Sequence, residues 1–250
     1  KSPDHPNDNP DPVQVIEDLA QRGNDEGRAM LQIVHDIAPK SKLAFHTGFL
    51  SAGHFAKAIQ KLAHDTLSGG RCDIIVDDLT YITEPFQRDG VVAQAVNQVV
   101  AQGVTYFSSA GNFGNKSYEA VFNGVTNSAV IPTGQIHKFG PNAGDIYQTI
   151  NLKPGSYTIA LQWSDEFSSL GSLTGVQTDM DLYIIGTSGF QLFGFNRSNL
   201  FGPQLANLMI KNLDQNFLIT QTLLHPNALV GTTSDGSPKH FLSVEMWNTG

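Results

Sequence analysis

Two carboxylates, Asp25 and Glu26, stand beside Gly27 at the head of the run NDEGRAMLQIVHDIAP, residues 24–39. An acidic pair in that place has two uses. It can favour the positive end of a helix, with Asp25 as the N-cap, which is a modest effect. It can also supply a base: a free glutamate, with a pKa of about 4.3, accepts protons most usefully in acid. Asn112, in SSAGNFG at 108–114, is a second candidate. An asparagine in a glycine turn after a strand suits an amide donor aimed at a developing oxyanion, and it also suits the turn itself. Asp77 and Asp78 close the apolar run CDIIVDDL. Alternation sends neighbouring side chains to opposite faces, so one of the two faces a site or solvent. Arg28 and Arg88 are candidate partners for these acids. The 8 histidines show no ligand spacing; His35, His46, His54 and His64 read as structural or solvated, and no metal ligand is assigned. Asp179 and Asp181 in TDMDLY offer hard oxygens to calcium, but read as strand-edge acids facing solvent.

The elements that must position these groups follow from periodicity. The opening KSPDHPNDNPDP reads as irregular. Ala29, Met30, Ile33, Val34 and Ile37 recur at three and four residues, which predicts an amphipathic helix stopped by Pro39. Residues 42–46 read as a strand and 54–67 as a helix ended by Gly69-Gly70. Residues 72–79 read as a strand, 90–103 as a helix ended by Gly103, and 104–112 as a strand running into a turn. Alternating helices and strands predict a parallel sheet with sites beyond the strands' carboxyl ends. After about residue 135 the helical period gives way to alternation in DIYQTINL, GSYTIALQW, MDLYIIG, FQLFGF, NFLITQTL and KHFLSVEMW, which predicts a β-sandwich or jelly roll. The expected division is an α/β domain over 1–135 and a β domain over 136–250.

Several of these stretches together resemble the subtilisin-like fold. DIAPKSKLAF is similar to the passage that follows that family's catalytic-histidine helix, and QAVNQVVAQGVTYFSSAGNFG to the passage from its central helix into the oxyanion loop; SAGNFG is the most specific match. Where subtilisins carry His-Gly-Thr, this chain has Glu26-Gly27-Arg28, which resembles the sedolisins, the serine-carboxyl peptidases that use a glutamate base. Two positions depart from the sedolisin pattern: Met30 stands where an aspartate is usual, and Asn112 where the oxyanion residue is an aspartate. The resemblance implies an incomplete doubly wound parallel sheet of subtilisin-like type over roughly 13–135, with Glu26 as base and Asn112 as oxyanion donor. It places Asp78, Leu79 and Thr80 along the channel for a polypeptide substrate. No strand with the family's aspartate is expected before Glu26. No G-T-S-x-A-x-P motif for the nucleophile occurs, and GTTSDG at 231–236 does not replace it. LKPGSYTIALQW and DMDLYI resemble domains appended to secreted bacterial peptidases.

The chain has 250 residues, 15 basic and 23 acidic, for a formal charge of -8. That balance disfavours nucleic acid or an anionic membrane as partner. No apolar run is long enough to span a bilayer. Cys72 is the only cysteine, which excludes an internal disulfide and any cysteine-based metal site and reads as a small core residue. The sequence opens on Lys1 without a visible signal peptide, so a processed chain or a piece of a longer one is expected. Asn115 and Asn196 match the glycosylation pattern, a match frequent by chance. The resulting expectation is part of a secreted, extracellular serine endopeptidase, inactive as this piece alone and partnered by the flanking segments of its own precursor. It needs no cofactor, calcium being the one cation considered. The alternative is a non-catalytic subtilase-like protein that binds peptides or a surface.

Overall fold

The computed structural model describes residues 12–19, 23–64, 71–114, 116–127, 134–151, 156–167, 170–173, 175–186, 191–195, 206–211, 217–223 and 241–248. Most of the proline-rich opening, the Gly69-Gly70 stop, the asparagines of both glycosylation motifs and GTTSDG lie outside them. The chain divides into two compact units, one of residues 1–84 and 89–111, the other of residues 85–88 and 112–250.

In the first unit the order is β1 (Gln14–Glu17), α1 (Glu26–Ile37), β2 (Ala44–His46), α2 (Ala52–Leu62), β3 (Ile74–Asp77), α3 (Val91–Ala101) and β4 (Thr105–Ser108). β1 pairs parallel with β2, and β3 parallel with β4. The expected alternation of helix and strand is present. The strands form two separate parallel pairs, and a single wound sheet of subtilisin-like type is not shown.

A short strand precedes Glu26, where the sequence pattern assigned no element. β1 lies there, with Glu17 at its carboxyl end. Its four residues, QVIE, carry too short an alternation to stand out after a proline-rich opening. Pairing with β2 makes the strand: Gln14 N–H donates to the Leu43 carbonyl and Thr47 N–H to the Glu17 carbonyl, both at 2.9 Å.

The core of this unit lies between α2 and α3. Phe55, Ala58 and Ile59 of α2 face Ala95 and Val99 of α3, with Ile75 and Val104 beneath. These positions recur at three and four residues, so burial falls on one stripe of each helix. Cys72 packs at the edge of this core. Burial, with Asp73 nearby, raises its thiol pKa, as expected of an inert packing residue.

The helix ends follow local chemistry. Ser51 caps α2, its Oγ accepting the His54 N–H at 3.1 Å. Ser51→Ala should therefore cost the first unit about 1 kcal/mol in urea unfolding, and a loss below a few tenths would contradict the cap. Gly103 closes α3 with φ at 88°. Gly103 N–H reaches the Val100 carbonyl and Val104 N–H the Val99 carbonyl, at 2.9 and 3.1 Å. This is the left-handed stop that glycine permits and the periodicity predicts.

The second unit is built from antiparallel pairs among β5 (Ser117–Val121), β6 (Gly124–Val125), β7 (Gln135–His137), β8 (Gln148–Ile150), β9 (Ser156–Trp163), β10 (Met180–Gly186), β11 (Gln191–Phe195), β12 (Ala206–Lys211), β13 (Phe217–Leu223) and β14 (Phe241–Asn248). One sheet runs β11-β10-β13-β7-β6, with β8 also on β13; the other runs β12-β9-β14-β5. β5 and β6, on the amino side of residue 135, thus pair with β14 and β7 beyond it. Ile136, Ile150, Ile159, Leu161, Trp163, Met180, Leu182 and Ile184 are buried. Chain as a whole, the architecture is mixed α/β, with few helices and many short strands.

Candidate functional site

The polar residues of the first unit gather where its strands end. Glu17 ends β1 and His46 ends β2, neighbours because the two strands are parallel. α2 follows β2 after a short turn and brings His54 and, two turns on, Lys61 to the same place. Glu17 Oε1 accepts from His54 Nε2 at 2.9 Å. Glu17 Oε2 lies 3.6 Å from His46 Nε2 and 3.5 Å from Lys61 Nζ. Lys61 Nζ is also 3.2 Å from His46 Nε2. The His46 and His54 rings are 5.3 Å apart, centroid to centroid.

The hydrogen bonds assign the protons. His46 Nδ1 sits 2.8 Å from the Thr47 carbonyl, which only accepts, so Nδ1 carries the hydrogen. An ammonium only donates, so Nε2 beside Lys61 presents a lone pair and the ring is neutral. His54 Nε2 carries the proton it gives to Glu17, while its Nδ1 is buried without a hydrogen-bond partner. The His54 hydrogen bond is the main reason that the Glu17 carboxyl titrates below the usual glutamate range, with desolvation opposing it and the Lys61 hydrogen bond adding to it.

Sequence reasoning overlooked this group because Glu17, His46 and His54 lie 29 and 8 residues apart on three elements. Only parallel pairing and the return of α2 bring them together. The reading of His46 and His54 as solvated or merely structural is therefore incomplete: with Glu17 they form a set of three ligand-type atoms within 4.8 Å of one another.

The sequence-predicted residues occupy other places. Glu26 opens α1, exposed, with its backbone N–H on Asn24 Oδ1 at 3.1 Å and a long contact from Asn24 Nδ2 to its carboxylate at 3.5 Å. Asp25 holds the N-cap position but its side chain makes no capping bond; it pairs with Arg28 at 3.4 Å instead. Gly27 has a packing reason: a Cβ there would lie 2.6 Å from the Phe45 ring. The apolar stripe of α1 is not buried, and Ile33 and Ile37 face solvent.

Asp77, which ends β3, accepts from Ser108 Oγ at 3.0 Å across the pair with β4 and from Leu79 N–H at 3.3 Å. Arg28 is engaged with Asp25, and Arg88 with the Ser164 carbonyl and Glu166. Asp78 and Thr80 are exposed, while Leu79 packs against the core. Asn112 is exposed in the turn after β4 and is the first residue of the second unit's main segment. Asp179 and Asp181 are buried, which corrects their reading as acids facing solvent. Asp181 is on β10, which lies between β11 and β13 and is therefore not an edge strand; Asp179 immediately precedes it.

No helix among the described residues is long and apolar enough to cross a membrane. No protein-family model matches the sequence. No curated protein matches it either. Among solved structures, a family 35 carbohydrate-binding module from Clostridium thermocellum is 14% identical, covering 55% of this chain and 95% of its own, with a TM-score of 0.26. A structure of accessory secretory proteins 1, 2 and 3 from Streptococcus pneumoniae is 8% identical, covering 56% of this chain and 100% of its own, with a TM-score of 0.23. Likenesses of that size carry no argument.

Proposed function

We propose that this chain is part of a secreted serine endopeptidase of the subtilisin/sedolisin type, which cleaves peptide bonds and is inactive as these residues alone. The observation that carries the reading is the unit β1-α1-β2. A strand ends on the carboxylate Glu17, and the next helix opens on the carboxylate Glu26. A serine nucleophile needs a base within reach and an acid to orient that base. The helix mouth is where such a fold supplies the base. Glu26 is the base, Asn112 the oxyanion donor, and Asp78, Leu79 and Thr80 border the polypeptide substrate. The orienting aspartate and the serine nucleophile come from segments outside residues 1–250.

The surface of β3 and β4 supports incompleteness. Parallel strands bury both faces. Here Ile75 is buried on one face, but on the other Ile74, Val76 and Phe107 are 59%, 49% and 57% exposed. Further chain laid over that face would complete the unit.

The test is hydrolysis of a denatured protein from acid to neutral pH. It compares the product of the full reading frame, its Glu26→Gln variant and residues 1–250. The expected result is cleavage by the full product alone, falling by at least a hundredfold in Glu26→Gln, since loss of a general base removes a factor of about 10²–10⁴. A folded full product that cleaves nothing would overturn the reading. It would favour a non-catalytic subtilase-like binder of peptides or surfaces, which the exposure of Glu26 already suits.

A further inference from the structure

We infer that Glu17, His46 and His54 form a binding site for a divalent transition-metal cation of the zinc class, closed in the metal-free chain by the Lys61 ammonium. This does not depend on the peptidase reading. Two imidazoles and one carboxylate are a zinc ligand set, the kind that leaves a fourth position for water. With bonds of about 2.0–2.2 Å, tetrahedral ligand atoms stand about 3.3–3.6 Å apart. The 3.6 Å between His46 Nε2 and Glu17 Oε2 and the 2.9 Å between His54 Nε2 and Glu17 Oε1 bracket that spacing.

The surroundings fit a metal better than a plain salt bridge. The His46 side chain is fully buried, and its Nδ1–H is tied to the Thr47 carbonyl. That bond fixes ring and tautomer with the Nε2 lone pair turned toward Glu17, as the outer shell of a metal-bound histidine does. A lone pair and a carboxylate placed face to face repel unless a cation stands beside them. Lys61 Nζ supplies that cation now, but at 3.5 and 3.2 Å its contacts are long. Its side chain is 51% exposed and free to swing into solvent. His54 gives up its Nε2 proton on ligation. Its Nδ1, buried and without a partner, can take that proton. Glu17, 37% exposed, leaves the entry path open. Among the described residues no other set of three histidine, cysteine or acidic side chains has this spacing.

The probe is cobalt(II), titrated into the 250-residue chain and followed by visible absorption, with zinc(II) added in competition. The expected result is one equivalent bound with the intense bands of a four-coordinate cobalt centre, bleached by zinc. Glu17→Gln and His54→Ala should each weaken binding at least tenfold. Both positions are partly exposed, so the variants should fold, which far-ultraviolet circular dichroism checks. Lys61→Met removes the competing charge and should tighten binding several-fold, a gain that loss of folding cannot imitate. Absence of a stoichiometric cobalt spectrum in the parent chain would overturn the proposal. So would equal affinity in folded Glu17→Gln and His54→Ala, or no gain in Lys61→Met.

Discussion

Trp163→Ala should destabilise the second unit by about 3–5 kcal/mol, the range for removing a fully buried large aromatic side chain. Trp163 is 1% exposed at the end of β9, a strand whose residues from Ile159 to Trp163 are all buried. The loss has two parts. The larger is the cavity left among packed neighbours. The smaller is a hydrogen bond: the indole Nε1–H donates to Asp165 Oδ2 at 3.2 Å, and the same oxygen accepts the Gln177 and Thr178 N–H groups at 3.0 and 2.6 Å. Trp163→Phe keeps most of the volume and leaves that carboxylate its two backbone donors. It should cost about 1–2 kcal/mol. Urea unfolding followed by far-ultraviolet circular dichroism separates the two variants. A phenylalanine variant as unstable as the alanine one would mean that the polar junction at Asp165, not packing, dominates.

The second large effect is a loss of stability in acid through His137. Its Nδ1 accepts the Asn123 N–H at 3.1 Å, so Nε2 carries the hydrogen and donates to Tyr118 Oη at 2.9 Å. The ring is 1% exposed, among Tyr118, Phe122 and Phe139. A second proton would have to sit on Nδ1, facing a backbone donor in a desolvated place. Burial lowers the His137 pKa to about 4 from an ordinary 6.5. Between those values the unfolded chain binds more protons than the folded one, so stability falls as pH falls. The contribution is complete above pH about 6.5 and shrinks by at most about 1.4 kcal/mol per pH unit, roughly 3 kcal/mol by pH 4. Tyr118 lies on β5 and His137 on β7, in different sheets, so the acid-sensitive contact joins them. In His137→Gln the amide oxygen can accept from Asn123 and the amide N–H can donate to Tyr118, without titrating. The stability gap between parent and variant should be constant above pH 6.5 and narrow steadily below it. Parallel pH profiles would remove His137 as the cause.

What the sequence determined by itself was local. Ile59 and Val99 lie buried where helical spacing puts them, because that period is a property of a helix before it meets anything. Gly103 stops α3 because only the residue type and its φ are involved. The β character after residue 135 was legible in alternation, and Asp25 at the N-cap position in its place before a periodic run. The failures were all matters of partnership. Four residues of β1 become a strand only by pairing with β2, so no window along the chain reveals it. Asp179 and Asp181 look like solvated acids in sequence and are buried, Asp179 just ahead of β10 and Asp181 on it. Burial of α1's apolar stripe requires a surface to cover it, and the described residues leave Ile37 81% exposed. Only the tertiary structure assembled Glu17, His46, His54 and Lys61. A carboxylate, two imidazoles and an ammonium acquire their chemistry from distances of 2.9–3.6 Å across three elements. Those distances are set by strand register and helix packing, and neither is written in the spacing of the residues along the chain.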